Sequence, residues 1–310
     1  MLGRFRTLLE SYLFVLVVAL LVGILVPQAQ VLIAWNTLLL QAIFFLSSLK
    51  MDGNEILARL KDWRTLAISG VFMLVLMPLV VRGATLLLPE NLAVFGFAFF
   101  LLAAMPSGMT SPLLSELVGG NQPLALVITA GTSLLAPFTV PLMVSLAYGS
   151  TVVVDIFGMM RTLVLVIFMP FILAMIVKRF MPKQVEQVAP RTKPISTILL
   201  GLLIAGAVAP HADRIIASAR ENILGFLLII LALFLFFGVL HALGYYAAWW
   251  KKRHDRSTVS VCLTYMNFTL AIFLAGTYFP DADVVLVLVL SIIPWATLLP
   301  VWKKVSTKLP

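Results

Sequence analysis

The sequence has 310 residues, 62% of them hydrophobic and 11% charged, with a formal net charge of +9. A soluble globular fold needs far more polar surface, so the composition predicts an all-α integral membrane protein with no room for a sizeable soluble domain. The single cysteine, Cys262, excludes an intramolecular disulfide and a multi-cysteine metal site.

Crossing roughly 30 Å of hydrocarbon takes about 17–25 apolar residues. Ten such segments are predicted, at 11–28, 31–49, 65–88, 93–117, 123–147, 156–177, 194–210, 222–248, 257–278 and 283–302. The first follows Arg4 and Arg6 as a secretory signal would, but no small-residue cleavage site follows Val26-Pro27-Gln28, so it is expected to be retained. Glu10 at its start and Arg82 near the end of the third can snorkel toward the interface.

The fourth segment contains Pro106-Ser107-Gly108-Met109-Thr110-Ser111-Pro112. Proline removes a backbone donor and clashes with the preceding turn, and glycine releases the chain from helical angles. A broken helix is predicted here, tolerated only where protein, an ion or a water-filled cavity satisfies the freed carbonyls. Glu116 then either ends the helix at the surface or places an acid at the inner mouth of a cation or proton path.

In the fifth segment Thr129, Thr132 and Ser133 stand at i, i+3 and i+4, and Ala125 and Ala136 continue the stripe. Such hydroxyls either bond their own helix and its neighbours or line a cavity beside the broken span. The seventh segment is tightly bracketed by Pro194 and Pro210. His241 in the eighth reads as a hydrogen-bonded core histidine or a proton carrier. The ninth carries Cys262-Leu263-Thr264-Tyr265-Met266-Asn267-Phe268-Thr269, with no proline or glycine before Gly276. It reads either as a second break or as a continuous helix with Thr264, Asn267 and Ala271 on one small polar face.

Lysine and arginine gather in short cytoplasmic loops. With the N-terminus inside, every lysine, together with Arg4, Arg6, Arg59, Arg64, Arg179, Arg191, Arg253 and Arg256, falls on the cytoplasmic side. Arg82, Arg161, Arg214 and Arg220 fall outside with Glu90, Asp155, Asp281 and Asp283, so both termini are expected in the cytoplasm. The basic charge is spread over separate stretches and reads as topology and attraction to anionic membrane lipid, with no nucleic-acid partner. No HExxH, His/Asp/Glu cluster of metal spacing or phosphate loop is present, so no enzyme and no cofactor beyond a coupling ion is expected.

The spans divide at an external turn around Gly149-Ser150-Thr151 into 1–150 and 151–310. Five spans per half would put the second half into the membrane from the opposite side, an inverted repeat. The fourth span of each half is the one with the densest polar interruptions.

The chain resembles the bile acid:sodium symporter family, within the larger group that includes arsenite exporters. Phe44-Phe45-Leu46, Trp63-Arg64 and Met77-Pro78-Leu79 resemble its second and third helices. Residues 106–142 resemble its PGGTASN, GD or GN, and T-x-x-S-T elements with a closing proline. Arg256-Ser257-Thr258 followed by residues 265–271 resembles its ninth helix, where E-x-G-x-Q-N-x-x-L-A is usual.

The resemblance implies ten helices in two inverted repeats, a panel and a core domain, and fourth and ninth helices that unwind and cross beside two sodium ions and an organic-anion cavity. It implies a secondary transporter of a small organic anion in the inner or plasma membrane, a monomer or homodimer working by alternating access. Gly108, Met109, Thr110, Pro112, Thr264, Asn267 and Thr269 are the implied substrate contacts. Ser111, Thr129, Thr132, Ser133, Glu116 and Cys262 are the candidate sodium ligands.

The chain also departs from the family pattern. The usual Ser-Asn becomes Ser111-Pro112, the ninth-helix glutamate and glutamine fall on Cys262 and Met266, and the third-helix glutamine falls on Met73. Thiols and thioethers are poor ligands for a hard cation, so the usual sodium pair is not expected intact. Proton-coupled, uncoupled or exporter-like transport stands as the alternative, with a channel-like pore further behind.

Overall fold

The computed structural model describes residues 12–49, 63–89, 92–149, 155–279 and 281–309. Arg4, Arg6, Glu10, Lys50, Arg59, Lys61, Glu90, Ser150 and Thr151, on which parts of the topological expectation rest, lie outside them. Among the described residues all regular structure is helical. Helix α1 is Tyr12–Leu25, and a 3-10 stretch Pro27–Trp35 leads into α2, Asn36–Ser48. Helix α3, Trp63–Thr85, contains a π turn at Phe72–Leu76. Pro78 follows two residues later and cannot donate to the carbonyl four residues back; the wider turn lies where that bond is lost.

Next come α4, Ala93–Ala103, and α5, Ser111–Leu117, then α6, Gln122–Tyr148, and α7, Ile156–Phe180. Helix α8, Pro182–Val208, continues through a 3-10 turn into α9, Ala212–Glu221, and α10 is Ile223–Ala247. The last four are α11, Arg253–Thr264, α12, Phe268–Tyr278, α13, Ala282–Leu290, and α14, Ile292–Ser306. Among the described residues seven helical stretches are long and apolar enough to cross a membrane, and three shorter apolar helices, Phe14–Leu25, Ala93–Ala103 and Phe268–Tyr278, accompany them. The protein is an all-α membrane protein.

Helix α8 begins well before the segment read from the sequence. Pro182 sits in its first turn, where a missing N–H costs nothing, and Pro190 and Pro194 lie inside it. Its leading half carries Lys183, Glu186 and Arg191 and buries only Val185 and Thr192, so it is amphipathic where hydropathy alone sees no span. Arg82 does not simply reach outward: its guanidinium lies 4.1 Å from the centre of the Tyr148 ring, a cation–π contact.

The helices pack in two groups. Helices α1, α2, α7 and α8 contact one another, while α3, α4, α5, α6, α10, α11, α13 and α14 form the second group, joined to the first chiefly by α6 on α7. Within the second group α10 approaches α11 closely: a Cβ at Gly244 would lie 2.7 Å from Ser260 Cα, so only glycine allows this spacing. Helix α12 touches both groups, which puts the second break at their boundary.

Candidate functional site

The predicted interruption in 105–112 separates α4 from α5, and a second interruption at Tyr265, Met266 and Asn267 separates α11 from α12. The two meet. Ser107 and Met266 form an antiparallel bridge, Gly108 N–H donates to Tyr265 C=O at 2.8 Å, and Asn267 N–H donates to Pro106 C=O at 2.8 Å. Peptide groups that neither helix can satisfy thus satisfy each other. Gly108 is required for this closeness, since a Cβ there would stand 2.6 Å from Tyr265 O.

Each break has its own local anchor. Ser111 Oγ–H donates to Tyr265 C=O at 3.0 Å, and Pro112 occupies the first turn of α5. Pro112 therefore starts a helix rather than preventing one, and it does not line the cavity described below. On the other side Asn267 Oδ1 accepts from Leu270 N–H at 3.1 Å and caps α12. Thr264, Asn267 and Ala271 do not share one helical face: Thr264 ends α11, Asn267 is the cap, and Ala271 belongs to α12.

Behind the crossing runs the hydroxyl stripe of α6. Ser107 Oγ pairs with Thr129 Oγ1 at 3.0 Å, and Ser107 N–H donates to Thr132 Oγ1 at 3.2 Å. Thr132 gives its own proton to Ile128 C=O at 2.7 Å. The Cys262 thiol lies against the hydroxyls of Ser107 and Thr129 and points toward Ala125 C=O at 3.9 Å. Ser111, Thr129 and Thr264 are wholly buried. Among the described residues Ser133 Oγ and Thr264 Oγ1 are buried without a hydrogen-bond partner, as is the Tyr265 hydroxyl. Ser107, in the same proline–glycine run, joins these contacts without being one of the residues that the resemblance implies.

In front of the crossing is a cavity of about 60 Å³. Gly108, Met109, Thr110, Asn267 and Thr269 line it, as do Met266, Phe268 and Trp295 of the same group. The opposite wall is Leu40, Ile43, Phe44 and Ser47 from α2 with Ser196 and Leu200 from α8. The cavity therefore lies between the two helix groups. Of the sequence-selected substrate residues, Pro112 and Thr264 stand outside it, Thr264 being buried behind the crossing. Among the described residues no lysine, arginine or histidine lines it; the amino end of α12, where a helix carries partial positive charge, contributes Asn267, Phe268 and Thr269 to the lining.

Glu116 belongs elsewhere. It lines a separate cleft with Lys252, Arg253, His254 and Lys303, away from the α6 hydroxyls. His241 is likewise held in the packing of α10 and α11. Ser260 Oγ–H donates to His241 C=O at 2.8 Å, so His241 Nδ1, 3.0 Å from that oxygen, carries the proton and donates to it. Its ring stacks on Trp302 with centroids 4.4 Å apart.

Thr258 ties the buried ends of α5, α6 and α11 together. Its hydroxyl donates to His254 C=O at 2.8 Å and accepts from Asn121 N–H at 2.7 Å, so Ser115 Oγ, at 3.0 Å, is the donor of that pair. Among the described residues no three His, Cys, Asp or Glu side chains come together to hold a metal.

A model of the SBF-like CPA transporter family matches residues 10–298. An uncharacterised protein of Bacillus subtilis, YbaS, is 30% identical over 227 residues, 69% of this chain and 70% of its own length. A second B. subtilis protein, the uncharacterised sodium-dependent transporter YocS, is 26% identical over 258 residues, 81% of this chain and 77% of its own. The rice protein described as the probable chloroplastic sodium/metabolite cotransporter BASS1 is 24% identical over 191 residues, 60% of this chain; the chain spans only 44% of that relative's length. These similarities agree with the resemblance read from the motifs, and the matched region takes in both helix breaks, the hydroxyl stripe and the cavity. The chain belongs to the SBF-like CPA transporter family and is a transporter, not an enzyme.

Proposed function

We propose that the protein is a secondary transporter that carries a small organic anion across the inner or plasma membrane by alternating access. In this reading the chain crosses ten times, residues 1–150 and 151–310 are inverted repeats, and both termini are cytoplasmic. Helices α1, α2, α7 and α8 are the panel, and the remaining spans are the core. The observation that carries it is the cavity at the boundary of the two helix groups, floored by the paired breaks.

The anion is met there by the amino end of α12 and by the hydroxyls of Thr110 and Thr269, with Asn267 at the capped turn. At about 60 Å³ the cavity holds a few waters at most. A solute of more than a few atoms needs the α2 and α8 wall to part from the crossing, and that separation is the access movement.

Sodium is the coupling ion of this proposal, supported by the names of two relatives, a sodium/metabolite cotransporter and a sodium-dependent transporter. The buried, unpartnered oxygens of Ser133 and Thr264 are suitable hard ligands. Thr129, Thr132 and Ser111 can join them by exchanging the hydrogen bonds they now make within the protein. Glu116 takes no part. Cys262 stands where the resemblance calls for a carboxylate, so the charge of a bound cation must be offset by the anion in the neighbouring cavity. Each then favours the other's binding, and transport of the two is linked.

Uncoupled carriage is the second reading, favoured by the Cys262 thiol and by the closed hydrogen bonds of Thr129 and Thr132. Purified protein in liposomes, tested for uptake of candidate metabolite anions with an imposed sodium gradient and with choline in its place, distinguishes them. Sodium-driven saturable uptake is expected. Equal uptake in both would leave the carrier and remove the sodium.

A further inference from the structure

A second, larger crevice of about 420 Å³ lies apart from the substrate cavity and shares no residue with it. Phe95 and Phe99 of α4, Phe226, Ile229 and Ala232 of α10, and Leu286 of α13 make its apolar walls. Phe99 packs edge-on against Phe236 at 5.2 Å between centroids, fixing one wall to the other. At one end the lining changes character. Arg214 pairs with Asp283 through two bonds of 3.3 and 3.2 Å, and Glu221 and Asn222 stand in the same lining.

An apolar slot with charge at one end fits an amphiphile, and the signs at that end choose its headgroup. One guanidinium with two carboxylates is net negative, which disfavours a purely anionic head. Arg214 remains able to take a phosphodiester, because its fork of donors suits phosphate geometry. Glu221 and Asp283 supply oxygens for a primary ammonium, whose three N–H donors a quaternary ammonium lacks. We propose that this crevice is a binding site for a phospholipid with a primary-ammonium headgroup. One acyl chain lies between α4 and α10, the phosphate sits on Arg214 and the ammonium on Glu221 and Asp283. The chain would brace α4 just ahead of the break at Pro106.

The test uses full-length protein purified in detergent and stripped of lipid. Thermal unfolding and native mass spectrometry are followed with dioleoyl phosphatidylethanolamine, the corresponding phosphatidylcholine and phosphatidylglycerol, and soluble phosphoethanolamine. The ethanolamine lipid is expected to raise the melting temperature and to be retained about tenfold over the glycerol lipid, while phosphoethanolamine without a chain does neither. Ala232→Trp, which fills the slot, should remove the shift. Glu221→Gln, at an exposed position, should remove the headgroup preference while the fold persists. Equal stabilisation by all three lipids overturns the proposal, as does a headgroup preference unchanged in Glu221→Gln. Because neither position touches the substrate cavity, these outcomes are independent of whether the transport reading holds.

Discussion

Gly108→Ala isolates the contact on which the crossing depends. The added methyl carbon would stand 2.6 Å from Tyr265 O and 3.2 Å from Met266 O, where ordinary contact begins at 3.4 Å. Both obstacles are backbone, so no side chain can swing away. The two breaks must move apart by about 0.8 Å, which carries the 2.8 Å Gly108 N–H bond past the roughly 3.2 Å limit of sound geometry and strains its partner at Asn267. A buried peptide group left unpaired costs about 1–3 kcal/mol, so the loss should be about 2–6 kcal/mol if both bonds go. Gly131→Ala is the matched control: it lies in α6, next to the hydroxyl stripe, and its added carbon meets nothing within 4 Å. Alanine there should be neutral or stabilise by about 0.5–1 kcal/mol through helix propensity. Unfolding of both variants in one detergent, with uptake in liposomes, gives the comparison. Equal stability and equal transport would refute the claim that the breaks hold each other.

Asn267→Ala removes the cap of α12 and should cost about 0.5–2 kcal/mol of stability while abolishing uptake; normal uptake would take Asn267 out of the site. Thr129→Ala opens its bond with Ser107 and should likewise stop transport with stability lowered by no more than about 2 kcal/mol, checked by uptake and melting together. Cys262→Glu puts a carboxylate beside the Ser107 and Thr129 hydroxyls, where burial favours a bound counter-cation. Sodium should then raise the melting temperature of the variant more than that of the parent, and no difference would dissociate this position from the ion. Glu116→Gln should transport at the parental rate, because Glu116 lines the separate cleft with Lys252 and Lys303; a large loss would return it to the ion path.

The first break could be read from sequence because its cause is local: Pro106, Gly108 and Pro112 crowd a helix breaker, a flexible residue and a helix starter into seven residues. The second could be read only from its place in the other half and from the resemblance, with a continuous helix as the alternative, because nothing in residues 262–269 forbids a helix. It is opened by Asn267 acting as a cap and by the approach of Gly108, a partner far away in the chain. The hydroxyl stripe of α6 was visible as a spacing, since one continuous helix carries it. The far wall of the cavity left no comparable trace. Leu40, Phe44, Ser47, Ser196 and Leu200 lie in unbroken helices, and only tertiary packing turns them toward the crossing. Pro112 and Glu116 stand apart from the cavity, Pro112 in the first turn of α5 and Glu116, as its alternative reading had it, at the end of that helix in the lining of a basic cleft.

The exchange of amides at the crossing also bears on how the molecule is made. Until Asn267 has been synthesised, the carbonyl of Pro106 and the amide of Gly108 have no mates, though their surroundings are already apolar. At about 5–20 residues per second that interval is roughly 10–30 s. The nascent first half must spend it with water, lipid headgroups or the insertion machinery standing in for its missing counterpart, and its maturation is therefore tied to translation of the second.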